Sequence, residues 1–285
     1  MTRRTCPAIT YKYQNELSSI FCGFANFATH FLLIHKANYI RPPSVQTTRY
    51  YLNYLTCFRQ IGNFETGINL MNTFILTANE IAEIGQRLFG QGIITGQEGN
   101  ISVKLSDDSL AITSSGVSKG FLGVGDVVMI DLDGNLLEGN KPPSSEKLLH
   151  ISIYRRRPDV RAVIHAHPVY VTAFAVAGVP LQQLILPEVI HSIGEIPLCD
   201  LALPGTEALA RTIIPYLERH EAFMLKNHGA LTVGKSLEEA CQRMEILERY
   251  AHILYIARSL GKVNELPADM VGELKALKRG DKSHE

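Results

Sequence analysis

Arg161-Ala162-Val163-Ile164-His165-Ala166-His167 reads as a β-strand that ends in two histidines. Side chains two apart on a strand point to the same face, so His165 and His167 can converge on one ion. His228, in Lys226-Asn227-His228-Gly229, offers a third imidazole at a constrained corner between two short apolar strands, 222–225 and 230–233. Three neutral imidazoles leave a tetrahedral dication with an open position and its full charge, the arrangement of a catalytic zinc site. Two histidines on a buried strand also serve plain packing, so the flanking segments decide.

Working outward, Thr77-Ala78-Asn79-Glu80 has the form of a capping box, and Ile81, Ile84, Leu88 and Phe89 follow at helical spacing. This predicts a helix from Thr77 that Gly90 and Gly92 stop. Ile101-Ser102-Val103-Lys104-Leu105 alternates as a half-buried strand, Ser106-Asp107-Asp108 turns, and Leu110-Ala111-Ile112-Thr113 returns. Val127-Val128-Met129-Ile130 is a further strand, closed by the Asp133-Gly134 turn. Helices follow Ser144-Ser145 as far as Pro158, then Pro168, then Gly205-Thr206 to near Arg219. Ser236-Leu237-Glu238-Glu239 is a second capping box. It opens a long helix with Leu237, Ala240, Met244, Leu247, Ala251, Leu254 and Ile256 mostly on one face, ending at Gly261. Strands outnumber simple βαβ units, so the fold class is α/β with a mostly antiparallel sheet covered by helices on both faces, in one domain.

Net charge is zero and no basic stripe is present, which argues against a nucleic-acid partner. The five cysteines are odd in number, scattered and never in a CxxC pair, which fits a reducing cytoplasm better than a disulfide framework or thiolate site. Residues 1–70 are rich in aromatics and polar clusters without sustained periodicity. Residues 17–34 superficially resemble a signal peptide, but Asn26, Thr29 and His30 interrupt them and the stretch is short for a membrane span. The reading is an extension over 1–70, poorly ordered or upstream of a true start at Met71, and a catalytic domain over 71–285.

Glu98-Gly99-Asn100 stands at the mouth of the first strand, where Gly99 permits close backbone approach and the Asn100 amide offers a donor and an acceptor. Ser115 and Gly116 follow one strand, and Ser144 and Ser145 precede a helix. Short hydroxyls and free backbone N–H groups at a helix start suit a phosphate or carboxylate, and Lys119 could add a cation. Helix capping is the plain alternative for the two serines. Glu146 is the natural proton carrier, and His150, one turn along, either orients it or simply packs.

In order and spacing, Glu98-Gly99-Asn100-Ile101-Ser102, Ile112-Thr113-Ser114-Ser115-Gly116, Lys141-Pro142-Pro143-Ser144-Ser145-Glu146, His165-Ala166-His167-Pro168, Pro204-Gly205-Thr206 and Lys226-Asn227-His228-Gly229-Ala230 resemble the class II aldolase/adducin family. The resemblance spans residues 76–260. It implies a three-layer αβα domain with a largely antiparallel central sheet, and a homotetramer with active sites at subunit interfaces. His165, His167 and His228 would bind Zn2+, with Mn2+ or Co2+ as alternatives. Gly99, Asn100, Ser115, Gly116, Ser144 and Ser145 would bind the substrate and its phosphate, and Glu146 would be the acid/base. The implied activity is aldol cleavage of a phosphorylated ketose of the fuculose or ribulose type through a metal-stabilised enediolate. The alternative is decarboxylation, dehydration or epimerisation of a related sugar phosphate or sugar acid on the same centre. In the aldolases a neighbouring subunit's tyrosine assists near the stretch corresponding to 184–190; here Glu188 is the only catalytic-type side chain there. A non-enzymatic adducin-like interaction module is the contrasting reading, and it would lack the three histidines. An unrelated HxH metallohydrolase would place that motif earlier in a longer chain.

Overall fold

A computed structural model describes residues 64–279. Helix α1 (Phe64–Gly90) precedes strands β1 (Asn100–Lys104), β2 (Ser109–Thr113), β3 (Val127–Asp131) and β4 (Leu136–Glu138). Then come α2 (Lys147–Arg156), β5 (Ala162–Ala166), α3 (Val169–Ala177), α4 (Pro187–Ser192), β6 (Leu198–Cys199) and α5 (Glu207–Ile213). The described chain ends with β7 (Ala222–Leu225), β8 (Gly229–Gly234), α6 (Leu237–Leu260) and α7 (Ala268–Arg279).

The strands form one 8-stranded sheet in the order β4-β3-β2-β1-β5-β8-β7-β6. Every neighbouring pair is antiparallel except β6–β7. The histidine strand β5 is therefore interior, with both faces covered. On one face, Leu110, Ile112, Val128, Ile130, Val163, Leu231 and Val233 share a core with Leu149 and Ile153 of α2 and Leu209 and Ile213 of α5. Burying each such side chain is worth about 1.5–3 kcal/mol, against about 1 kcal/mol for a cap. Packing thus holds α2, whose N-cap position, Glu146, makes no side-chain capping bond. Its carboxylate is left for other partners. Helices α3 and α6 pack on the opposite face, completing three layers.

Three expected details differ. Helix α1 does not begin at Thr77: Met71, Phe74, Ala78 and Ile81 form one buried stripe that includes Thr77 itself, so tertiary burial outweighs the capping signal. Met71 accordingly lies within a helix, and residues 1–63 of the expected extension lie outside the described residues. The Gly205-Thr206 helix stops at Ile213 and continues as turns. The Ser236 cap is present, its Oγ accepting from the Glu239 N–H at 3.1 Å. Of the predicted α6 face only Ile256 is exposed, because two residues beyond Leu254 is about 200° further round the helix. Strands β4 and β6 and helices α4 and α7 are too short or too weakly patterned to be read beforehand. Cys199 and Cys241 are buried free thiols. Among the described residues no helix is long and apolar enough to cross a membrane.

Candidate metal centre

His165 is fully buried on β5, opposite Asn100 of β1 and Leu231 of β8. Its Nδ1 lies 2.8 Å from the Ala230 carbonyl oxygen. A carbonyl only accepts, so Nδ1 carries the proton and Nε2 presents a lone pair. His167 lies one residue past the strand, and its Nδ1 donates to Glu98 Oε2 at 3.0 Å, leaving its Nε2 likewise a lone pair. The two Nε2 atoms are 3.0 Å apart. Burial, then the neighbouring His167 and His228, push the His165 pKa well below the usual imidazole range, so the ring is neutral. Two facing lone pairs repel unless a cation lies between them.

Asn227, in the left-handed region at φ 55°, turns β7 into β8 and presents His228. Asparagine tolerates that conformation better than most residues. The His228 ring centroid is 4.6 Å from that of His165 and 4.9 Å from that of His167. Burial lowers the His228 pKa, opposed by Glu146 and reinforced by His167. One ligand nitrogen from each ring falls within 4.8 Å of the others, the only such cluster among the described residues. Two imidazoles with Nδ1 anchored to a carbonyl and a carboxylate and Nε2 turned inward, joined by His228, fit a divalent metal.

Glycine makes the approach of the strands possible. A Cβ on Gly229 would lie 2.5 Å from the Ala166 oxygen and 2.6 Å from His167 Cδ2. Gly99, at φ +71°, would meet the His165 oxygen at 2.8 Å. Its close approach is thus to the metal strand as well as to the cavity. Gly229→Ala is expected to displace His167 and weaken zinc binding about 10–100-fold, the range for perturbing the surroundings of a metal ligand. Titration against a competing chelating dye measures this.

Glu146 is buried immediately before α2. Its Oε2 is 3.1 Å from His165 Nε2 and accepts from Asn100 Nδ2 at 2.9 Å. Its Oε1 is 3.4 Å from His228 Nε2 and makes no hydrogen bond. Glu146, His167 and His228 open on a cavity of about 350 Å³, also lined by Gly99, Asn100, Ser115, Gly116, Lys119, Ser144 and Ser145, with His165 buried behind them. That volume suits a small metabolite. The two serine segments meet because Ser114 bridges Pro143, the Ser115 N–H bonds the Pro142 carbonyl at 3.0 Å, and the Ser144 N–H bonds the Thr113 carbonyl at 3.0 Å.

Lys119 is buried in a short 3-10 turn, donating from Nζ to the Gln97 and Val117 carbonyls at 3.1 and 2.8 Å. Burial lowers its pKa to about 8. Of the carboxylates that act on it, Asp126 pairs with Lys141 and Glu98 with His167. Glu188 is exposed on α4 and does not line the cavity. Sequence reading assigned no role to Glu98 or the Ala230 carbonyl. A ligating histidine needs an acceptor for its other N–H, and Glu98, beside Gly99-Asn100, was the signal available. His150 also connects to the site, through Asn100.

Residues 79–255 match the model of the Class II Aldolase and Adducin N-terminal domain. The chain is 34% identical over 199 residues to the 3-oxo-tetronate 4-phosphate decarboxylase of Pectobacterium atrosepticum, covering 68% of this chain and 90% of that protein. It is 34% identical over 181 residues to the L-fuculose phosphate aldolase of Methanococcus maripaludis, covering 64% and 97%. Among solved structures it resembles YgbL of Escherichia coli, described as an aldolase/epimerase/decarboxylase, with TM-score 0.67, 31% identity and coverage of 71% of this chain and 99% of that one. The matched region contains every candidate metal and cavity residue, and the chain belongs to the class II aldolase and adducin family as a metal-dependent enzyme of that superfamily.

Proposed function

We propose that the protein decarboxylates a phosphorylated 3-oxo sugar acid. The observation that carries this reading is the Glu146 carboxylate beside three convergent histidine nitrogens at the wall of a cavity that also holds a buried lysine and two serine loops. The similarity to 3-oxo-tetronate 4-phosphate decarboxylases supports it over aldol cleavage. So does the 184–190 stretch, which has no tyrosine and whose Glu188 stays outside the cavity.

Asn100, Ser115, Gly116, Ser144 and Ser145 bind the phosphate and orient the substrate. A dication on His165, His167 and His228 supplies electrostatic stabilisation of the negative charge that develops on the substrate oxygens; Zn2+ is the proposed ion, and Mn2+ or Co2+ suit the same donors. As the C1–C2 bond breaks, carbon dioxide leaves and the electron pair passes into an enediolate over C2 and C3. The net reaction takes up one proton, which Glu146 relays from solvent to C2, yielding dihydroxyacetone phosphate from a four-carbon substrate. Val169 and Leu203 are 63% and 71% exposed and flank in sequence the cavity residues His167 and Pro204. These apolar surfaces favour a homotetramer whose neighbouring subunit closes the site.

Aldol cleavage of a phosphorylated ketose is the second reading, favoured by the similarity to L-fuculose phosphate aldolases. It breaks C3–C4 and reaches the same enediolate, so only the departing fragment differs. The test supplies zinc-loaded protein with 3-oxo-tetronate 4-phosphate or L-fuculose 1-phosphate and measures carbon dioxide, aldehyde and dihydroxyacetone phosphate. Carbon dioxide from the first is expected. Faster aldehyde release from the second would replace the decarboxylase reading, and no product from either would overturn both.

Lys119→Met should raise KM for the phosphorylated substrate about 10–100-fold, the value of one charged hydrogen bond at about 1.5–3 kcal/mol. The effect on kcat should be small. Steady-state kinetics separate the two, and an unchanged KM would remove Lys119 from anion binding.

A further inference from the structure

A buried ladder of polar side chains runs from Glu146 away from the cavity. Helix α2 and its N-cap place Glu146, His150 and Tyr154 four residues apart, on one stripe. Strand β1 places Asn100 and Ser102 two apart, on one face. Four helical residues advance about 6 Å and two strand residues about 6.7 Å, so the two sets interleave. Asn100 Nδ2 donates to Glu146 Oε2 at 2.9 Å, and Asn100 Oδ1 lies 2.5 Å from His150 Nε2. His150 Nδ1 lies 2.6 Å from Ser102 Oγ, which lies 2.8 Å from Tyr154 Oη. All five residues are buried.

The direction of every bond follows from one end. Asn100 donates its NH2 to Glu146 Oε2, so its carbonyl oxygen faces His150. His150 must then donate from Nε2, which leaves Nδ1 to accept from the Ser102 hydroxyl, and Ser102 to accept from Tyr154. Burial lowers the His150 pKa to about 3, so the ring is neutral and has one proton to place.

We propose that His150 is a positioning residue whose Nε2–H selects which end of the Asn100 amide faces Glu146 and the cavity. The amide has two orientations of nearly equal shape. Reversed, its carbonyl oxygen would oppose the Glu146 carboxylate and repel a substrate anion, while its NH2 would face the His150 N–H. Each reversed contact replaces a hydrogen bond with a like-pole clash. The inference rests on Glu146 as the proton carrier; Ser102 and Tyr154 act only by holding the His150 tautomer.

Two amide replacements separate positioning from packing. The His150→Gln side-chain nitrogen reaches the position of Nε2, whereas that of His150→Asn stops near Nδ1 and falls short of Asn100. Both bury an amide at the same place, so similar losses of thermal stability are expected. His150→Asn should lower kcat about 10–100-fold (roughly the charged hydrogen bond from Asn100 to Glu146) and raise KM, because Asn100 also faces the substrate anion, with zinc content close to wild type. His150→Gln should recover most of that loss. Ser102→Ala, a small change within the strand, tests the same link if either replacement fails to fold, and should lower kcat several-fold. Independently of any substrate, the ¹⁵N side-chain NH2 pair of Asn100, assigned by its loss in Asn100→Asp, should exchange slowly in wild type and His150→Gln and quickly in His150→Asn. Equal kcat losses in both replacements, tracking melting temperature, would overturn the proposal, as would unchanged Asn100 exchange in His150→Asn. Absence of turnover in wild type would instead defeat the functional reading and leave the exchange measurement decisive here.

Discussion

His165→Ala is expected to lose stoichiometric zinc and at least about 10²–10³-fold in kcat/KM. The ring is fully buried, and its Nε2 lies 3.0 Å from His167 Nε2 and 3.1 Å from Glu146 Oε2, so no mobile side chain or solvent readily replaces it. Deleting one uncharged donor from an oxyanion site typically costs about 2.7–4 kcal/mol. A dication contributes more than a single donor, so its loss sets a floor of about that size. The substitution also removes the His165–Ala230 hydrogen bond, for which about 0.5–1.5 kcal/mol of stability should be lost. Elemental analysis after dialysis against zinc, with the melting temperature measured beside it, separates the two effects. Chelation of wild-type protein should reproduce the activity loss without the mutation, and added zinc should reverse it. Full zinc occupancy with near-normal turnover in the variant would show that the metal sits elsewhere.

Glu146→Gln is expected to lower kcat about 10²–10⁴-fold, the usual contribution of a positioned acid/base, while zinc content stays near wild type. Glutamine keeps the shape of the side chain and removes its capacity to exchange a proton at neutral pH. The metal is retained because the three imidazoles keep their own anchors: Ala230 for His165, Glu98 for His167 and the Asn227 turn for His228. Asn100 still finds an acceptor in the glutamine oxygen, so KM should change by less than the turnover does. Single-turnover product formation reads the chemical step directly. Near-normal turnover with zinc bound would assign the proton to another group.

How much was legible beforehand depended on how local the cause was. The short apolar run 162–164 leading into His165 marks β5, and the apolar spacing after Ser236 marks α6, because side-chain direction along a single element follows from its own period. The HxH pair likewise contains its own geometry. Thr77 misled because a cap is worth about 1 kcal/mol, less than the combined burial of Met71 and Phe74 that extends α1 past it. His150 looked like a packing residue because its role lies in two partners on β1, about fifty positions away, whose faces depend on strand register.

The sequence by itself determined the three-layer class, the inward pair His165 and His167, the candidate third ligand His228, and the two serine segments with Glu146 at a helix start. Only the tertiary structure decided that Glu98 and Ala230 set the tautomers of the ligating rings, that Lys119 is buried at the cavity wall while Glu188 stays in solvent, and that Glu146 is reached through Asn100 and His150. The physical reason is that periodicity reports which way a side chain leaves its own element. The partner it meets is set by the register of Asn100 against His165 and by how α2 lies on β1, and these come from packing the whole sheet.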